Sequence, residues 1–168
     1  VYECPPNGQG IVALIMLNIL KGFNLAKLDP NGEERMHLEA EASVLAYRDR
    51  NGLIADPDVK EIPTKHLLSN IYSDSLRKFI SSDHVITTLP SPGETESQYT
   101  VYLTVIVSDR NAIAVNNSTC HPFGSGICSP TTGVMLQNRG SSFAMKADHP
   151  NCIESGKRPL HTIIPGML

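Results

Sequence analysis

The sequence contains no tryptophan, and aromatic residues make up only 5% of it, too few for a surface that stacks nucleobases. Its cations are scattered and its net charge is −3, so neither nucleic acid nor an anionic membrane is an expected partner. Long apolar runs are missing as well. The most apolar stretch, 11–20, is about half the ~20 residues that span a bilayer. It lacks a basic n-region and follows Pro5-Pro6-Asn7-Gly8, so it does not read as a signal peptide. Cysteine is sparse. Cys4, Cys120, Cys128 and Cys152 are spaced too irregularly for a zinc knuckle or a redox pair, and buried free thiols are expected. The histidines show no HxH or HxxxH spacing, so no metal site is expected.

What is present suffices for one domain. The chain has 168 residues, 40% of them apolar, enough to bury a core. The first 80 residues read as helical. Gly10 to Lys21 is apolar nearly all round and reads as a buried helix stopped by Gly22. Asn31-Gly-Glu-Glu opens a second helix with acids in its first turn. Met36, Ala40, Val44 and Tyr47 recur along it at helical spacing, and Asn51-Gly52 should end it. Asp56-Pro57-Asp58 reads as a turn. Pro63 can open a short helix through Leu68, and Tyr72, Leu76, Phe79 and Ile80 mark a further amphipathic helix. Residues 81–99 have the composition of an exposed linker. Thr100–Val107 and Asn111–Val115 then read as a hairpin turning at Ser108-Asp109-Arg110, with Val134–Leu136 as a third short strand.

The junction at Thr100 carries the most chemistry. A polar stretch ends there and an apolar run begins. Cleavage before such a threonine frees an α-amino group, of pKa about 7.7–8.0, beside a hydroxyl. One residue then supplies both base and nucleophile for amide cleavage. Other signals are weaker. Gly8-Gln-Gly10-Ile-Val-Ala13 formally matches a dinucleotide fingerprint, but no strand precedes it, and a tight helix entry explains both glycines. Gly124-Ser125-Gly126 lacks the outer glycines of a nucleophile elbow, so its glycines are expected to let backbone approach closely. Asn138-Arg139-Gly140 and Lys157-Arg158-Pro159 read as polar turns bearing cations.

The flanks of Thr100 resemble the gamma-glutamyltransferase (gamma-glutamyltranspeptidase) family. Downstream, the similarity runs through Thr100-Val-Tyr-Leu-Thr-Val105, Asn111-Ala-Ile-Ala-Val115, Phe123-Gly-Ser-Gly-Ile127, Thr132–Phe143 and Gly156–Pro165. Upstream it includes Pro5–Ile11, Glu39-Ala-Glu-Ala42, Tyr47-Arg-Asp-Arg50 and Asp56-Pro-Asp58. The resemblance implies an α+β fold, the four-layer αββα sandwich of N-terminal-nucleophile hydrolases, with helices in the first half of this chain and antiparallel strands in the second. It implies a precursor that cleaves itself before Thr100. Residues 1–99 would then close the large subunit, and 100–168 would open the small one. The two subunits would stay associated. The implied chemistry is attack by Thr100 on a γ-glutamyl amide such as glutathione, through an acyl-enzyme ester passed to water or an amino acid. No metal or organic cofactor is implied.

Residue by residue, the resemblance places the second hydroxyl near the nucleophile at Ser118. The carboxylate that grips the donor's ammonium falls at Ser142, and the serine pair that holds its carboxylate falls at His161 and Thr162. An uncharged Ser142 cannot form that ion pair. With Gln137-Asn-Arg-Gly140, this pattern is more similar to the branch labelled cephalosporin acylase, so hydrolysis of non-glutamyl acyl amides is a second expectation. Val107 and Arg110 replace an Asp and a turn Gly of the family, and a weaker hairpin is expected. The implied precursor is roughly three times longer than this chain, which is expected to be a segment spanning the processing site. The third expectation is a truncated, non-catalytic relative.

Overall fold

The structure is a computed structural model that describes residues 1–89 and 101–167. Helices fill the first half: α1 (Gly10–Leu20), α2 (Glu33–Leu53), α3 (Thr64–Leu67) and α4 (Asn70–Arg77). One antiparallel hairpin, β1 (Val101–Ile106) with β2 (Ala112–Asn117), opens the second half. The α+β class expected from the sequence is observed.

The core forms where α1 packs on α2 and α4. Ile15, Ile19, Leu45, Leu67 and Leu76 are fully buried there. The all-round apolarity of α1 follows from neighbours on two sides, and its C-terminus has a specific cap. Arg77 of α4 donates from Nη1 to the carbonyls of Asn18 (2.7 Å) and Ile19 (3.1 Å). A Cβ on Gly22 would collide with that guanidinium. Gly22 therefore stops α1 as expected, but by admitting the arginine that satisfies the helix's last carbonyls.

α2 begins at Glu33, where two acids meet the positive end of the helix dipole. It does not end at Asn51-Gly52. The Ile54 amide bonds the Arg50 carbonyl, and Ile54 is 1% exposed, so burial of this end carries the helix past its glycine. The packed face is also not the Met36, Ala40, Val44, Tyr47 stripe, which is exposed. Leu38, Ala42 and Leu45 face the core instead. Two helical stripes were available, and the apolar one nearest α1 won. Pro63 precedes α3 as its N-cap, and α4 stops before Phe79 and Ile80. The Ser69 hydroxyl caps α4 by accepting the Tyr72 amide at 3.1 Å.

The hairpin forms despite Val107 and Arg110. The Arg110 amide closes the turn on the Val107 carbonyl at 2.9 Å, and Arg110 takes the left-handed conformation (φ 62°) that a glycine adopts more cheaply. The expected third strand is absent. Val134–Leu136 makes a single bridge, Cys128 with Met135, in a loop turned at Gly133. Gly124 does meet backbone closely, since a Cβ there would collide with the Leu136 carbonyl oxygen. Gly126 has open space and serves its positive φ alone. All four cysteines are free thiols, but only Cys120 is buried; Cys128 is exposed.

Two turns far apart in sequence are clasped together. Arg158 donates its backbone amide to Asp56 Oδ2 (2.8 Å) and its guanidinium to both Asp56 oxygens, then reaches Asp58 Oδ2 at 2.6 Å. The Asp56 side chain is only 2% exposed. The side-chain hydrogen bonds from Arg158, with backbone amides and its charge, hold the Asp56 carboxyl well below the usual carboxylate range against the opposing effect of burial. A depressed folded pKa means that the contribution to stability is complete above the unfolded carboxylate value of about 3.9 and drains away as pH falls below it. Asp56→Asn should therefore lower the melting temperature at pH 7 and flatten its decline below about pH 4. Thermal unfolding at stepped pH reads both effects. An unchanged acid slope would assign the acid sensitivity to another carboxylate.

Candidate active site

The site is built on the segment that follows the Asp56–Arg158 clasp. Its backbone runs beside the entry to α1, where the His161 amide donates to the Asn7 carbonyl and the Gln9 amide to the His161 carbonyl, both at 2.9 Å. Asn7 Nδ2 adds a bond to the Pro159 carbonyl at 2.6 Å. Gly8, part of the formal dinucleotide pattern, is the bridge partner of His161. Leu160 turns the other way, into the helical core. The segment is thus pinned on both sides, and His161 and Thr162 are presented from rigid backbone.

Facing it are the end of β2 and a 3-10 turn, Arg139–Ser142. Arg139 Nη1 donates to Thr162 Oγ1 at 2.9 Å. The Gln137 side chain accepts the Arg139 amide and so shapes the turn. Ser118 Oγ accepts the Cys120 amide at 3.0 Å. Together Asn116, Ser118, Gln137, Arg139, His161 and Thr162 line a cleft of about 350 Å³.

Three of the four binding residues expected from the resemblance, Ser118, His161 and Thr162, therefore meet in one cleft. Ser142 is not in its lining. It is 4% exposed, donates its hydroxyl to the Arg139 carbonyl at 2.6 Å, and accepts Asn151 Nδ2 on its own carbonyl at 2.6 Å. Its place is behind the turn that carries Arg139. Thr100 lies outside the described residues. Val101, bonded to it, pairs with Asn117 and lines an adjoining cleft with Ser118 and His121. Ser118 borders both.

The electrostatics of the cleft are one-sided. The His161 Nδ1 lone pair accepts the Ile163 amide at 3.1 Å, which places the proton of the neutral ring on Nε2. Burial, then the nearby Arg139 charge, lowers the His161 pKa, so the ring is neutral at neutral pH. Arg139 remains the cation. Among the described residues no cluster of His, Cys, Asp or Glu could hold a metal ion, and no helix is long and apolar enough to cross a membrane. Sequence reasoning missed Arg139 as a site residue. Its motif, Gln137-Asn-Arg-Gly140, was visible, but a turn sequence does not say whether its cation faces solvent or a cleft.

The geometry has counterparts among known proteins. The glutathione hydrolase-like YwrD proenzyme of Bacillus subtilis is 34% identical over 100% of this chain and 31% of its own length. The glutathione hydrolase proenzyme of Escherichia coli is 31% identical over 98% of the chain and 31% of its own. A cephalosporin acylase from Bacillus halodurans, 37% identical, superposes with a TM-score of 0.80 over 96% of this chain and 28% of that one. The chain thus spans about a third of the length of the curated relatives it matches, and its α+β fold is part of the N-terminal-nucleophile hydrolase fold. A sequence model of the gamma-glutamyltranspeptidase family matches residues 1–168 throughout, and the chain belongs to that family.

Proposed function

We propose that the full-length protein is a self-processing amidohydrolase that splits between Tyr99 and Thr100 and then uses Thr100 as its nucleophile. The observation that carries this reading is the position of the junction. Val101 opens β1 opposite Asn117, and the next residue, Ser118, borders the polar cleft. The proenzyme relatives support it. Residues 1–99 form the end of one subunit and 100–168 the start of the other, held together by the Asp56–Arg158 clasp and the pairing of His161 with Asn7 and Gln9.

After cleavage the Thr100 amine takes the proton from its own hydroxyl as Oγ attacks the amide carbonyl of the donor. The carbonyl carbon–nitrogen bond breaks and the amine departs with that proton. Water then attacks the ester, the acid leaves, and the Thr100 hydroxyl is restored. An amino acid in place of water gives transfer. Ser118 is the second hydroxyl beside the nucleophile, while Thr162 and neutral His161 orient the acyl group. The donor is a γ-glutamyl or related acyl amide.

Intact-mass analysis of purified full-length protein checks the processing step. Two fragments should appear, with the smaller one's N-terminus at Thr100. A single uncleaved chain after long incubation at neutral pH would count against the reading.

A further inference from the structure

Arg139 is 8% exposed and makes no ion pair among the described residues, so neutral hydrogen bonds fix its place. Those bonds can be followed away from the cleft. The Arg139 carbonyl accepts the Ser142 hydroxyl, and the Ser142 carbonyl accepts Asn151 Nδ2, both at 2.6 Å. The Asn151 amide donates to His149 Nδ1 at 3.0 Å. Nδ1 is therefore an acceptor, and Nε2 is the donor of the ring. It lies 2.7 Å from the Asn51 carbonyl, in the last turn of α2.

The other wall of the cleft returns to the same place. The His161 carbonyl accepts the Gln9 amide at 2.9 Å, and Gln9 Oε1 accepts Arg50 Nη1 at 3.0 Å. Arg50 and Asn51 are neighbours in α2. The Arg139–Thr162 bond across the cleft closes the path into a ring. Gln9, Arg50, Ser142, Asn151 and Thr162 are all buried. Such bonds hold geometry firmly, because breaking one strands a donor or acceptor away from water. His149 is the half-buried member that joins the Arg139 wall to α2.

We infer that His149 is a positioning residue for the cleft: it ties the Arg139 wall to the end of α2, the same end that holds the His161 wall through Arg50 and Gln9, and so fixes the spacing of the two walls. The inference rests on the amidohydrolase reading only for its kinetic consequence. In the processed protein α2 would belong to one piece and both walls to the other, so the ring would set the site across the junction.

Asparagine and glutamine separate the two bonds of the ring nitrogens. His149→Gln can carry an N–H to the Asn51 carbonyl. His149→Asn can accept the Asn151 amide but is too short to reach α2. On processed full-length enzyme with γ-glutamyl-p-nitroanilide, His149→Asn should lower kcat/KM about tenfold, chiefly through KM, and His149→Gln should stay within about threefold of the wild type. In an Arg139→Met background, His149→Asn should change kcat/KM by less than about twofold, since a residue that acts through Arg139 has nothing left to place. A His149→Asn enzyme like the wild type, equal losses in the two variants, or a tenfold loss that persists without Arg139 overturns the inference.

Absence of turnover counts against the amidohydrolase reading, and hydrogen exchange then decides the ring. The amides of Ser141 and Phe143, bonded within the Arg139 turn, should exchange about tenfold faster in His149→Asn. Those of the β1–β2 hairpin should not change, and His149→Gln should restore slow exchange. Unchanged rates at Ser141 and Phe143, or acceleration shared equally by the hairpin, overturns the inference. If His149→Asn fails to fold, the wild type still decides. A ring that opens as one unit gives Ser141, Phe143 and His161 amide protection within about tenfold of one another, and a larger spread overturns it.

Discussion

Replacing Thr100 by alanine in the full-length protein should abolish self-cleavage and lower amide turnover by at least about a thousandfold, the scale seen when a nucleophile is removed from a covalent mechanism. Thr100 would supply the attacking oxygen and, once freed, the amine that deprotonates it. Alanine removes the first before the second can be generated. Thr100→Ser keeps both groups and should still process. Thr104→Ala is the control: Thr104 sits within β1, pairs across to Ala114 and bonds the Tyr102 hydroxyl, so it cannot become a chain terminus at this junction. Mass spectrometry reads cleavage, and anilide hydrolysis reads turnover. Full activity in Thr100→Ala would place the nucleophile elsewhere.

Leu160→Ala should cost about 2–4 kcal/mol of stability, the usual range for truncating a buried leucine. Leu160 is 4% exposed and inserts into the helical core from the segment that follows the hairpin. In a cleaved protein it would be a hydrophobic anchor between the two pieces, next to the hydrogen bonds of His161 with Asn7 and Gln9. The loss should appear as a lower urea midpoint. Ile127→Ala, at a site 60% exposed, should change it by less than about 0.5 kcal/mol. Comparable losses at both positions would mean that Leu160 does not anchor the segment.

The elements most readable from sequence were those with a local cause. α1 follows from an uninterrupted apolar stretch, the start of α2 from two acids after a glycine, and the hairpin from two β-rich runs around a polar turn. The misread details have a non-local cause. Gly52 is a sound local stop, but Ile54 is drawn into the core and the helix continues. The Met36 stripe has the right period, but only packing chooses between stripes. Val134–Leu136 has strand composition but a single bridging partner.

Sequence alone determined the family, because its motifs persist in order from Pro5 to Pro165, and it showed the switch from polar to apolar composition at Thr100. Those are properties of residue identity and order. Tertiary structure alone decided which side chains share a cleft. His161 and Thr162 reach it because their backbone pairs with the entry to α1 more than 150 positions earlier, and Arg158 locks onto Asp56 across 102. Bonds to the Arg139 carbonyl and from Asn151 hold Ser142 behind the site, and the bond to Thr162 holds Arg139 at the cleft. A cation in a surface turn and a cation buried without a counter-ion have the same letters. Burial separates them, and burial is set by the rest of the molecule.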